Sequence, residues 1–362
     1  MGSKPDAMTA TYKSGELAKK YGNYLVPSAK VLVGKGKTDL VTAVGAQTES
    51  IRVSLNIKNA SSASITITDI YDLQKRSIKD KVKNTLCLGE TIIVELGYGS
   101  DREDIFHGFI FERSIEFGDI PTMHITALEV KRLMHENTRK EEKLTGKNEN
   151  DIFEKIMEKY KNLNLEVVTD QPVMTVPGFL TQNCSDLMMI KTLCEQSNKF
   201  FLVCGSKVYF TKKMETAAVA PLTWGLDILS FSQRTSYMNI DIEVRGNITG
   251  NPQKQVETST VSSDGNAKKI LQEKLQQILF LPDVNSTEEL QARADYEKNA
   301  LEEKKNAGGG TCIGLPVLVP GRYVKITGID SDIDGEYYLQ SVNHSFGGSG
   351  YTTDFTLGGK RG

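Results

Sequence analysis

Apolar positions along this chain recur mostly with a period of two. In residues 321–357, Tyr323, Lys325 and Thr327 alternate with Val324, Ile326 and Gly328, the pattern of a half-buried strand. Asp332, Asp334 and Gly335 supply a turn, Glu336–Phe346 reads as a longer strand, Gly347–Gly350 turns again, and Tyr351–Leu357 closes the unit. Residues 89–128 run in the same order: a Gly-led strand Glu90–Leu96, an acidic turn, a long strand Phe106–Phe117, a Gly/Pro turn and a last strand Thr122–Leu128. Gly89 then stands where Gly321 stands, Gly108 where Gly335 stands, and MHITAL where TDFTLG stands. The pattern predicts a duplicated β unit rather than a fixed-period solenoid, because only two distant copies are visible.

Between and before these units the period changes. Residues 1–26 hold one weakly helical, Lys-rich stretch, SGELAKKYG, and read as a loosely attached arm. Residues 27–130 form a first β domain, with Ile51, Val53, Leu55 and Ile57 on one face and Ser77–Asn84 as a helical or loop connection. Residues 131–215 read as an α+β insert. In it Asn150 caps a helix whose apolar stripe is Ile152, Phe153, Ile156, Met157 and Tyr160, and a short strand covers Leu163–Thr169. Ser185 caps a second helix, Asp186–Ser197, and Phe200–Cys204 turns through Gly205 and Ser206 into Lys207–Thr211. Residues 216–262 and 308–362 make the second β domain with its connecting strands, and 263–307 a helical insert. That insert comprises one helix over Ala267–Phe280 and another over Ser286–Lys305, opened by the capping box Ser286 and Glu289 and ended by Gly308–Gly310.

Composition narrows the chemistry. With 362 residues, 39% hydrophobic and 25% charged, the chain is long enough for two or three domains with real cores. The net charge of −2, with both signs interspersed, argues against specific nucleic-acid binding. No apolar run reaches the ~18–20 residues of a membrane span, and MGSKPDAMTA has no apolar core of a secretory signal. Cys87, Cys184, Cys194, Cys204 and Cys312 include no C-x-x-C pair, so they read as buried free thiols, and His107, His124, His135 and His344 are equally scattered.

Two stretches imitate ligand loops. GKGKT at 34–38 resembles the end of a P-loop, but Val31 occupies the leading glycine position and a strand pattern follows, so a hairpin turn is expected. DSDIDG at 330–335 resembles a calcium loop, but Ser341 replaces the bidentate Glu and strands flank it, so a solvated turn is expected. Asp101, Glu103 and Asp104 read as a solvated tip, and His344 as a structural histidine. There is no nucleophile elbow. The expectation is therefore no catalytic residue, no cofactor-binding residue and no metal site.

Three segments together resemble the phage late control gene D protein family, the baseplate hubs of contractile tails, related to the N-terminal part of VgrG. They are GFLTQNCSDLMMIKTLCEQSNKFFLVCGSKVYFTK at 178–212, whose lead Q-N-C-S-D resembles the family's polar Q-x-N-x-S-D, the charged helix Glu288–Lys305 running into G-G-G, and the closing unit with P-G-x-x-V-x-I-x-G and V-x-H followed by Gly-Tyr-Thr-Thr. Cys184 stands where many relatives place Glu. The resemblance implies an α+β, β-rich fold: two related antiparallel β-barrel tube domains with inserted α+β and helical segments. It implies a homotrimer that joins a hexameric tail tube protein to a trimeric spike protein, with tape measure and baseplate wedge proteins as neighbours. Such a particle, phage tail, tailocin or injection device, is assembled in the bacterial cytoplasm. Two readings from other classes compete: a tail-associated cell-wall hydrolase, which needs two carboxylates facing each other across a cleft, and a glycan-binding β module, which needs exposed aromatics along a groove. The acidic residues fall on turns and helix faces, and Trp224 is the only Trp, with Tyr337, Tyr338 and Tyr351 read as strand residues.

Overall fold

The computed structural model describes residues 6–176, 178–213, 216–248, 254–262, 274–284 and 286–361. After helix α1 (Glu16–Lys20), the first β unit comprises β1 (Pro27–Val33), β2 (Thr38–Asp39), β3 (Gln47–Asn56) and β4 (Ser62–Thr68). It continues through the small pair β5 (Tyr71–Asp72) and β6 (Ser77–Ile78), helix α2 (Asp80–Thr85), then β7 (Thr91–Tyr98), β8 (Asp101–Glu116) and β9 (Thr122–Leu128). The alternation read from the sequence is what buries Ile51, Val53 and Leu55 of β3 and Ile65 and Ile67 of β4.

An α+β segment follows: α3 (Val130–Glu136), β10 (Glu142–Thr145), α4 (Glu149–Glu158), β11 (Glu166–Thr169), β12 (Phe179–Gln182), α5 (Asp186–Ser197), β13 (Lys199–Cys204) and β14 (Lys207–Lys212). Its apolar side chains form a core of their own around Phe153, Ile190 and Phe210. Ser185 caps α5 as expected, accepting from the Met188 N–H. The cap of α4 is Asn148, which accepts from the Asp151 N–H, rather than Asn150. Asn150 is buried, donating to the Asp170 carbonyl and accepting from Lys199.

The second β unit contains β15 (Pro221–Thr223) and β16 (Ile228–Thr235), and after an excursion β20 (Asn306–Ile313), β21 (Tyr323–Thr327), β22 (Gly335–Gly347) and β23 (Gly350–Lys360). The excursion holds β17 (Ile240–Ile248), β18 (Lys254–Val261), β19 (Leu275–Val284) and α6 (Thr287–Lys305). Here the sequence misleads. Residues 267–273 of the expected first helix lie outside the described residues, and Leu275–Phe280 belongs to β19, which pairs in parallel with β17. Gly308, Gly309 and Gly310 do not end α6; they sit mid-strand in β20, where a Cβ would collide with carbonyl oxygens of Ser232, Phe355 and Ser230. Ser286 caps α6 as expected, accepting from the Glu289 N–H.

Thirteen strands from both units form one sheet over one shared core. In the first unit the neighbour order is β3-β4-β9-β8-β7; in the second it is β16-β20-β23-β22-β21. The chain-order positions of these strands correspond one to one. So do two β-bulges. β8 and β9 shift register between Ile110 and Glu112, and β22 and β23 between Leu339 and Ser341. β3 and β4 shift between Thr48 and Ser50, and β16 and β20 between Ile228 and Ser230. A bulge costs a ladder position and re-aims a strand, so matching bulges are a strong sign of common design.

With the bulges aligned, MHITAL (123–128) falls on TDFTLG (353–358), as expected, and Gly89 on Gly321, both in the left-handed region at φ 83° and 86°. The equation of Gly108 with Gly335 fails. Gly108 lies mid-strand opposite Ile92 and corresponds to Tyr337, opposite Val324. No turn requires it there; a Cβ would meet the Leu128 carbonyl and the Phe106 ring.

Candidate functional site

The tempting loops are turns. GKGKT joins β1 to β2, with the Lys37 N–H donating to the Gly34 carbonyl at 2.9 Å. In DSDIDG, Asp334 accepts from the backbone N–H groups of Gly328, Ile329 and Asp330 at 2.9, 3.0 and 3.3 Å, and these bonds hold its carboxyl below the usual range. Asp330 accepts from the Asp332 N–H at 2.9 Å. The carboxylates thus tie the turn rather than converge on a cation. Among the described residues no three His, Cys, Asp or Glu gather at metal-binding distance. Calcium or a chelator is therefore expected to shift the thermal midpoint by less than about 1 °C; a saturable upward shift with calcium would identify a site there.

Glu103 of the acidic tip accepts from Lys20 at 2.7 Å. Tyr337, Tyr338 and Tyr351 are buried, so they are strand residues as read from the sequence. Cys194, Cys204 and Cys312 are buried too, but Cys87 is exposed and Cys184 half-buried, a departure from the expected five buried thiols.

The residues of the Q-N-C-S-D lead act inside the α+β segment. Asp186 is fully buried, accepting from Gln182 at 2.8 Å, Asn137 and Tyr160 at 2.7 Å, and Lys159 at 3.0 Å. Asn183 accepts from the Glu141 N–H and Ser185 caps α5. The glycine of P-G-x-x-V is Gly321, and the following Arg322 is fully buried. Its guanidinium donates to the carbonyls of Ala7 at 2.6 Å and Ala10 at 2.7 Å. With Asp6 accepting from Lys207 and Tyr209 at 2.8 and 2.9 Å and Met8 in the core, the segment from Asp6 to Ala10 is docked, not loosely attached. Nothing in the periodicity of that polar stretch reveals that a buried arginine holds it.

The geometry most relevant to assembly lies where the two units meet. β22 has β23 along one edge. Along the other edge it pairs first with β21, at Gly335–Tyr338, and then with β3 of the first unit, from Ser341↔Asn56 to Phe346↔Ile51. His344 anchors this joint. It is fully buried, facing Val53 across the ladder; its Nε2 donates to the Leu318 carbonyl at 3.1 Å and its Nδ1 accepts from the Tyr351 hydroxyl at 2.9 Å. Burial pushes it down to about 4. An unfolded histidine titrates near 6.5, so between about pH 6.5 and 4 the unfolded chain binds a proton that the folded chain refuses. Stability is then constant above that window and falls through it, by about 3 kcal/mol in all. Urea unfolding at stepped pH should show this fall, and His344→Gln should flatten it; an unchanged slope in the variant would clear His344.

The equivalent stretch of the first unit is bare. Beyond Ile110, β8 runs on through Phe111–Glu116 with every residue exposed, Phe111 at 42% and Ile115 at 37%. β16, the counterpart of β3, pairs with β20 along one edge and shows no second strand ladder among the described residues. Sequence reasoning saw strands here but not their exposure, since a strand's apolar alternation looks the same whether its partner comes from its own chain or another.

Residues 30–347 match the family model of the Alg8 N-terminal domain. No curated protein matches the sequence. Among solved structures, the tail protein of Neisseria meningitidis MC58 superposes with a TM-score of 0.67 at 12% identity, covering 92% of this chain and 96% of that one. The 43 kDa tail protein of prophage MuSo2 from Shewanella oneidensis gives 0.66 at 13% identity, covering 92% and 98%. The E. coli c3393 protein, described as a type VI secretion component similar to the T4 tail proteins gp27 and gp5, gives 0.56 at 11% identity, covering 88% and 76%. At these identities the likeness is one of fold: α+β, rich in β, built on a large antiparallel sheet.

Proposed function

The chain belongs to the Alg8 N-terminal domain family, and from its tail-protein fold and its internal duplication we propose that it is a structural baseplate hub of a contractile tail or related injection system. The late control gene D resemblance supports the same reading. Three copies would carry six like β units, matching a hexameric tail tube on one side while keeping threefold symmetry for a trimeric spike on the other. The duplication then resolves the symmetry mismatch within each chain instead of by strain at the interface.

The observation that carries this reading is the one-to-one strand order of the two units, including both bulges. Two quasi-equivalent β units side by side in one sheet are what a symmetry adaptor requires. The hub reading assigns the protein no catalytic role, no cofactor and no metal, and places it in the virion or injection particle. Co-expression with its cognate tail tube and spike proteins should give a complex of three hub chains per tube hexamer and spike trimer. Failure to bind either partner, together with release of soluble fragments from peptidoglycan by the pure chain, would replace the hub reading with that of a tail-associated hydrolase.

A further inference from the structure

We propose that β8 of one copy pairs, edge to edge and antiparallel, with β16 of the next, in the register that β22 and β3 already show within the chain. The inference deepens the hub reading and rests on it only for the number of copies.

The argument is one of equivalence. In the first unit the Gly89 N–H donates to the Ile110 carbonyl at 2.8 Å, and the Ile110 N–H to Glu90 at 2.9 Å. In the second, the Gly321 N–H donates to Leu339 at 2.9 Å, and the Leu339 N–H to Arg322 at 2.8 Å. Ile110 and Leu339 are thus the same position, and each is followed at once by its bulge. Past that point β22 is covered by β3, burying Val342 and His344. The corresponding residues of β8 from Glu112 onward are exposed. β16 likewise matches β3 through the shared bulge, and its outer edge carries no strand among the described residues. One chain therefore ends in the two halves of a joint that it has already built once. An open edge of this kind invites a strand.

Copying the internal register places Ser114 opposite Arg234, Ile115 opposite Gln233, Glu116 opposite Ser232 and Phe117 opposite Phe231. Arg234 then lies diagonally between Glu112 and Glu116 on the same face, an attractive arrangement across a ladder. The contact is head to tail, so it closes into a ring or runs on as a filament. In a ring of three, the eight strands from β16 to β8 in each chain make one continuous wall.

Cysteine pairs test the register in the full chain, with the exposed Cys87 replaced by Ser. Under mild oxidation Ile115→Cys/Gln233→Cys or its neighbour Glu116→Cys/Ser232→Cys should link copies covalently, with the ladder ending at three. Ile115→Cys/Ser232→Cys, one residue out of register and on opposite faces, should link at least about tenfold less, since disulfides tolerate little misplacement. Arg234→Glu, an exposed change, should weaken self-association about tenfold without altering thermal unfolding, and Glu116→Arg should restore it. Trimers in which neither in-register pair links would overturn the joint and leave the hub reading standing. Linked ladders that pass three, or close elsewhere, would keep the joint and remove the threefold hub. A chain that stays monomeric and unlinked at every soluble concentration would overturn the joint as well.

Discussion

Lys131→Met is expected to cost about 3–5 kcal/mol of folding stability, because it strands a buried carboxylate. Lys131 and Glu129 are each 1% exposed and 3.5 Å apart where the α+β segment leaves the first β unit. The ammonium also donates to the carbonyls of Asn56, Ile57 and Asn59, tying down the hairpin between β3 and β4, and Glu129 accepts from the Ser61 N–H at 2.9 Å. Burial pushes Glu129 up and Lys131 down, with their mutual attraction opposing both shifts. Without Lys131 the carboxyl can remain buried only by taking a proton, which becomes harder as pH rises. The loss should therefore be larger at pH 8 than at pH 5, and Glu129→Gln added to Lys131→Met should recover a good part of it. Urea unfolding of the two variants at both pH values measures this; equal losses at the two values would mean that the pair is not electrostatically coupled.

Asp186→Ala should be comparably severe, about 3–5 kcal/mol, but confined in its reach. Asp186, on α5, is the common acceptor for Gln182, Asn137, Tyr160 and Lys159, so its removal leaves donors from β12 and from the ends of α3 and α4 without this partner. The α+β segment has a separate core, so it can loosen before the main sheet does. Hydrogen exchange should show faster amides in α4 and α5 while β3, β22 and β23 keep their protection. Uniform loss of protection throughout would show that the segment and the sheet unfold as one unit.

Those two networks show what the sequence could and could not disclose. Strand alternation located β7–β9 and β21–β23, and even aligned MHITAL with TDFTLG, because period-two burial is a local property. The capping signals of Ser185 and Ser286 were legible for the same reason. Misreadings arose where a tertiary neighbour decides. Leu275–Phe280 has helical spacing but is drawn into parallel pairing with β17. Gly308–Gly310 looks like a helix terminus and instead serves a crowded strand between β16 and β23. Gly108 looks like a turn and is a point of close approach. The partners of Lys131, Asp186 and Arg322 are contributed by distant elements, so no window of sequence contains them. The bare half of β8 was hidden most completely, because it is recognisable only by comparison with its covered twin, Ser341–Phe346 of β22.

The most direct test is the symmetry of the assembled particle by electron microscopy, with this chain bound to its tail tube partner. A ring of three chains whose six β units surround one axis, the β22–β3 joint alternating with β8–β16 contacts between copies, is the expected result. A stable dimer or tetramer, or three chains whose β units face away from any common axis, would contradict it.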